Sequence, residues 1–346
     1  MEKKNKKYIV RIVFSIFLIL TCLFVFKNSN LMTNSAILSG SGEFYYPSYV
    51  WIAENGDKYF ITNSKTQVLV VDENNRYKLE INGEVTSDNG FNFVNNVVAD
   101  EDGNIYITDI RYNDHYDRDA RKRILKYTPS GTLDKVLYDY SFEEEEMPYI
   151  HSSLMTLEYN NGRLYYAQRD FNSFSMFSIA TDGLEEEPTL EKHYAYENAG
   201  LLIADFALDV DKKEVYVCTK KGDILKATEE GLILLYDGGN YNTDFEFYEV
   251  PNEIVLNHNA TKIFFTDVGT REVYSLDLET FEKQTVLESD KSLLLDEQEI
   301  YYRITSVTNR ENTVAFCCSN GNFYICQDDT LLPFIFQIIT TRILPL

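Results

Sequence analysis

Short apolar runs alternate with polar breaks along most of the chain. In YVWIAENGDKYFITN, residues 49–63, two runs flank the turn Glu54–Asp57. Runs of five to seven residues broken by Gly, Asn or Asp predict strands joined by tight hairpins. Almost no stretch carries the 3.6-residue period of an amphipathic helix.

An aromatic-rich run recurs: YFITN from Tyr59, IYITD from Ile105, LYYAQ from Leu164, VYVCT from Val215, IFFTD from Ile263 and VAFCC from Val314. The starts differ by 46, 59, 51, 48 and 51 residues, a period near fifty that marks a repeat architecture. Each unit keeps one order: a first strand (NNVVAD, MTLEYN, FALDVD), a polar turn, the aromatic strand, and a third strand (TQVLVVD, RILKYTP, EVYSLDL). A fourth strand such as RYKLEI, TLDKVLYD, LILLYD or KQTVLE completes most units. Four short antiparallel strands per unit predict an all-β fold, a six-bladed β-propeller with four-stranded blades over residues 31–330. The last unit lacks a clear fourth strand. AILSGSGEFYYP, ahead of the first unit, is expected to supply it and so close the ring without free sheet edges. A sandwich would need Greek-key irregularity rather than six similar meanders.

NNVVADEDGNIYITDIRY…RILKYTPSG resembles the NHL-type unit, and KIFFTDVGTREVYSLDLETF is similar to the YWTD unit of receptor propellers. The likeness covers roughly residues 40–329 and implies a six-bladed propeller, a fold that hosts many functions. It also assigns Asp109 and Asp267 a structural role, bonding backbone donors of the following turn.

The chain carries a net charge of −23. Residues 1–30 hold six Lys and Arg against Glu2, so the remainder is more acidic still. Such a body repels phosphates, which argues against nucleic acid and favours cationic partners, metal ions or plain solubility. MEKKNKKYIVR followed by IVFSIFLILTCLFVF predicts one N-terminal membrane helix within residues 1–30. Signal peptide and uncleaved signal-anchor both fit. Lys27 after the apolar run, and the lack of an A-x-A-like site, favour the anchor. Either way the basic flank stays inside and the propeller is extracytoplasmic. Residues 331–346, LLPFIFQIITTRILPL, form a separate apolar segment: an amphipathic helix on the membrane, the start of a second spanning helix, or a packed terminal strand.

Cys22 falls in the membrane segment, leaving Cys218, Cys317, Cys318 and Cys326 without disulfide-framework spacing. In FCCSNGNFYIC a two-residue Asn320-Gly321 turn would place Cys318 opposite Phe323 and Cys326 opposite Ala315, opposing no two cysteines.

The sequence is richer in binding features than in catalytic ones. No G-x-S-x-G elbow, Walker A loop or zinc spacing of histidines occurs. The insertion NDHYDRDARK, residues 113–122, and the aromatic, acidic crossings between units are assigned to one face. Phe93, His115, Tyr149, Tyr196, Tyr241 and Phe245 are the candidate ligand contacts, since rings beside carboxylates suit sugars, peptides and cations. The same rings equally suit packing between blades. The expected function is non-catalytic binding of a small molecule, glycan or protein, as in the input domain of a membrane receptor. The rival is a lactonase-type hydrolase, which the family resemblance would equip with a tunnel metal held by Glu, Asn and Asp. Asn96, Asp205 and Glu253 are its candidate ligands, for calcium. The lactonase opening motif, an acidic residue before Gly-Pro, is replaced here by YYPSYVW, which favours the reading without a cofactor.

Overall fold

The computed structural model describes residues 48–332 apart from 63–65, 74–75, 84–89, 113–118, 142–153, 170–172, 196–202, 220–221, 239–252, 258, 268–271, 288–303, 311–312, 319–322 and 328–329, and also residues 35–36 and 336–337. A two-residue strand β1 (Ser35–Ala36) precedes the repeats. The first blade is β2 (Tyr49–Ile52), β3 (Lys58–Thr62), β4 (Gln67–Val71) and β5 (Tyr77–Asn82). The second is β6 (Phe93–Ala99), β7 (Ile105–Tyr112), β8 (Asp119–Tyr127) and β9 (Leu133–Ser141). The third is β10 (Leu154–Asn160), β11 (Arg163–Arg169), β12 (Ser173–Ala180) and β13 (Thr189–Ala195). The fourth is β14 (Ile203–Asp209), β15 (Glu214–Thr219), β16 (Ile224–Thr228) and β17 (Gly231–Tyr236). The fifth is β18 (Ile254–Leu256), β19 (Lys262–Asp267), β20 (Glu272–Asp277) and β21 (Lys283–Leu287). A closing ladder follows, β22 (Ile304–Arg310), β23 (Thr313–Cys318), β24 (Phe323–Gln327) and β25 (Thr330–Leu332), and then β26 (Phe336–Gln337). Every four-stranded sheet is an antiparallel meander in chain order.

The first strands of successive sheets are neighbours around the ring, and β22 lies against both β18 and β2. The fold is therefore a β-propeller with the first strands innermost. Its core is the set of seams between blades. Along β7, Ile105 and Ile107 pack toward the first blade, and Tyr106 between them packs toward the third. Along β15, Val215 and Val217 face the third blade, while Tyr216 and Cys218 face the fifth. Both faces of these strands are covered, so the aromatic runs are apolar throughout instead of alternating with polar residues. In β3 all five residues are buried.

Three expectations are corrected here. The first is the six-bladed propeller preceded by a membrane helix. Five four-stranded blades have described cores, and the closing ladder is not their equal, because its outer strand is only three residues long and Pro333, which lacks an N–H, follows. No helix is found among the described residues, none of which forms one long and apolar enough to cross a membrane. Residues 1–34, with the expected anchor, lie outside them. Second, the closing strand does not come from the other end of the chain. Thr330–Leu332 serves in that position, and Ser35–Ala36 pairs in parallel with Phe336–Gln337 in a sheet of its own. Third, the cysteine register is one residue away from the expected one. Cys317 stands opposite Phe323 and Cys326 opposite Val314, because the loop between β23 and β24 is longer than the two-residue turn assumed. No two cysteines face each other in that pairing.

The insertion is also shorter than its sequence suggests. β8 begins at Asp119, and Tyr112 pairs with Asp119, so the hairpin simply extends outward. Arg121 forms an ion pair with Asp139 across β8 and β9. Arg123 reaches inward to Asp109. Of the charges that made this stretch look like a long loop, Asp119, Arg121 and Lys122 are ladder residues.

Candidate functional site

The innermost strands define the tunnel. β6, β10, β14 and β22 each hold one extra residue in their pairing with the next strand, at Asn95, Thr156, Ala204 and Thr305. Such bulges bend a strand and turn its neighbouring side chains. Thr156 also has φ 50°, a rare conformation for a β-branched residue.

A hydroxyl marks the tunnel position in two blades. Thr108 Oγ1 accepts a hydrogen bond from the Asn96 N–H at 3.0 Å and lies 3.3 Å from Asn96 Oδ1. Thr266 Oγ1 accepts from the Glu253 N–H at 3.1 Å. Both threonines occupy the fourth place of the aromatic run. In the fourth blade that place is Cys218, directly opposite Asp205.

Four side chains, one from each of the other complete blades, act on Tyr49 of the first. Asn96 hydrogen-bonds the Tyr49 hydroxyl, and the charges acting on it are the carboxyls of Glu158, Asp205 and Glu253. Burial, with these carboxyls adding to it, holds the phenol well above its ordinary range. Burial, reinforced by Asp205, pushes Glu158 up to about 7. Burial likewise raises Asp205 to about 7, although the N–H groups of Ile254 and Phe206 pull it back. The Ile254 N–H lies 3.0 Å from Asp205 Oδ2, so this carboxyl also ties the fourth blade to the fifth. Cys218 is driven up by burial and by the same acidic neighbours.

Acidic groups with pKa values near neutrality retain protons at pH 7 or exchange them for a positive charge. Asn96, Asp205 and Glu253, the three expected metal ligands, all belong to this ring. Sequence reasoning missed Glu158 and Tyr49. Among the described residues no three His, Cys, Asp or Glu side chains are grouped closely enough to hold a metal ion.

Of the expected ligand face, Phe93 alone is described. It is half-buried at the start of β6, and its N–H donates to Asp109 Oδ1 at 3.1 Å. His115, Tyr149, Tyr196, Tyr241 and Phe245 lie outside the described residues. Phe91, from the same crossing, is fully buried between the first two blades and is a packing residue. Asp109 has a structural role, but its backbone partners are Asn92 and Phe93 of the preceding crossing, at 2.6 and 3.1 Å, rather than the following turn.

The class defined by fold and tunnel is the β-propeller. No family model matches the chain, and no curated protein matches its sequence. A catalytically inactive variant of virginiamycin B lyase from Staphylococcus aureus, crystallised with quinupristin, is 12% identical over 88% of each chain with a TM-score of 0.50. A nidogen/laminin complex is 12% identical over 68% of this chain and 78% of that one, with a TM-score of 0.43. A luciferin-regenerating enzyme is 11% identical over 86% of this chain and 97% of its own, TM-score 0.48. At these identities the similarity to the lyase shows a shared fold and nothing of activity.

Proposed function

We propose that the protein is a non-catalytic binding propeller whose tunnel ring receives the cationic group of a small-molecule, glycan or protein ligand. The observation that carries this reading is the convergence of Glu158, Asp205 and Glu253 on Tyr49, with every charge acting on that hydroxyl negative. A protonated amine entering the ring would replace protons on Glu158 and Asp205 and accept support from the Asn96 and Tyr49 oxygens. The basic, then apolar, N-terminal sequence supports an exported propeller held at the membrane by residues 1–30, as in a receptor's input domain.

Calorimetric titration of the full-length protein in detergent tests the reading, with a linear diamine, a neutral disaccharide and calcium as probes. The expected result is diamine binding at pH 7 whose heat depends on the buffer's ionisation enthalpy, since protons are released. It should weaken in Glu158→Gln and Asp205→Asn. Calcium binding at one equivalent, lost in Asp205→Asn, would instead favour the lactonase-type reading. Binding of none of the probes, or of the diamine without dependence on either carboxyl, would overturn the tunnel assignment.

A further inference from the structure

The outermost strands of the five complete blades differ in one respect. β5, β9, β13 and β21 read YKLEIN, LDKVLYDYS, TLEKHYA and KQTVL, and each carries at least one charged residue. β17 reads GLILLY and carries none. Ile233 and Leu234 at its centre are 50% and 53% exposed. β17 pairs with β16 on one side, and its other edge meets no strand among the described residues. Charged residues on an outer strand normally discourage pairing with another chain, and here that protection is missing.

The flanks of β17 indicate what kind of strand would pair with it. Glu229 and Glu230 precede it and Asp237 follows it, all exposed. Lys192 reaches Glu229 at 3.7 Å, but the Glu229 side chain remains 91% exposed. An apolar edge six residues long thus has carboxylates at both ends. A second copy of the chain pairing antiparallel would bring Glu230 against Asp237, and two bodies of charge −23 would oppose each other. A basic-flanked partner meets the opposite situation.

We infer that the β17 edge is a docking site for an extended peptide segment of a partner protein, with an apolar middle and basic residues at both ends, added as a fifth strand to the fourth blade. Backbone hydrogen bonds along the edge would provide the binding, contacts to Ile233 and Leu234 the apolar part, and the flanking carboxylates the choice of partner. This site is on the outer rim and does not depend on the tunnel reading.

The test uses a fluorescent synthetic peptide of six alternating valines and threonines with two lysines at each end, titrated against the full-length protein. A control peptide has the same middle and glutamates at both ends. The expected result is saturable binding of the lysine peptide, weakened in high salt, with no binding of the glutamate peptide. Leu234→Lys should weaken binding about tenfold or more. Its unchanged melting temperature would show that the fold persists, as the exposure of Leu234 predicts. Glu230→Lys removes no apolar contact and should lower affinity through charge alone. Absence of binding, equal binding of both peptides, or retention of affinity in Leu234→Lys would overturn the proposal. So would concentration-dependent dimerisation that Leu234→Lys abolishes, because the edge would then serve a second copy.

Discussion

Asp109 accepts a hydrogen bond from Arg123 Nε at 2.9 Å, and neither side chain reaches solvent. The pair fixes the crossing into the second blade. Asp109 Oδ1 takes the N–H groups of Asn92 and Phe93, and Arg123 Nη2 donates to the Gly90 carbonyl at 2.6 Å. Burial still leaves the Asp109 carboxyl raised, with Arg123 offsetting only part of it. Asp109→Ala strands a buried guanidinium, and the expected loss is about 3–5 kcal/mol in urea denaturation. Replacing both groups, Asp109→Leu with Arg123→Met, should cost clearly less than Asp109→Ala alone. Equal costs would mean that the pair acts only through packing.

The carboxyls in the tunnel give a pH dependence of definite sign. Folding raises Glu158 from 4.5 and Asp205 from 3.8, each to about 7. Between about 4 and 7 the folded state then holds more protons than the unfolded one, so stability falls as pH rises through this window. These two groups should make the protein melt higher at pH 5 than at pH 8. Asp205→Asn keeps an acceptor for the Ile254 N–H and removes the titration, so it should flatten the slope. A melting temperature that rises between pH 5 and pH 8 in the wild type, and is unchanged in slope by Asp205→Asn, would contradict the assignment.

Cys218 is expected to be inert. It is buried beneath the tunnel ring, and its thiol is raised well above the ordinary range. Thiolate is the reactive form, so alkylation of the native protein should leave this residue unmodified. Peptide mapping after iodoacetamide treatment checks this, and labelling of Cys218 should appear only in denaturant.

Two glycines make a contrast that separates crowding from backbone strain. A Cβ on Gly83 would lie 2.5 Å from the Phe91 carbonyl oxygen, whereas one on Gly162 would meet nothing within 4 Å. Gly162 has φ 76°, so Gly162→Ala should cost only the left-handed penalty of about 1–2 kcal/mol. Gly83→Ala has to displace the backbone of the crossing and should cost more in the same denaturation assay.

The aromatic strands were legible because both of their faces are buried, which writes an unbroken apolar run at a regular interval. Asn96 and Glu253 were legible for a related reason, since each stands at the start of an inner strand beside the threonine of ITD or FTD. Glu158 was not. Ala167 replaces threonine in its blade, and the extra residue Thr156 shifts the strand's pairing in a way that composition does not announce. Tyr49 looked like one more strand aromatic, because nothing local distinguishes a ring that packs in a seam from one that meets carboxyls arriving from other blades. The insertion misled for the opposite reason: Arg121 looks like a loop charge until its cross-strand partner Asp139 is known.

Each unit supplies its own fourth strand, and among the described residues no strand of the first blade pairs with one of the closing ladder; the two chain ends pair outside the blades, β1 with β26. The join between the first blade and the closing ladder is instead a contact of β22 and β23 with β2. A mechanical load or a thermal fluctuation can part that join without unzipping a four-stranded blade. The circle should therefore breathe there first, with amide exchange in β2 outpacing that in β6, which is enclosed between two complete neighbours.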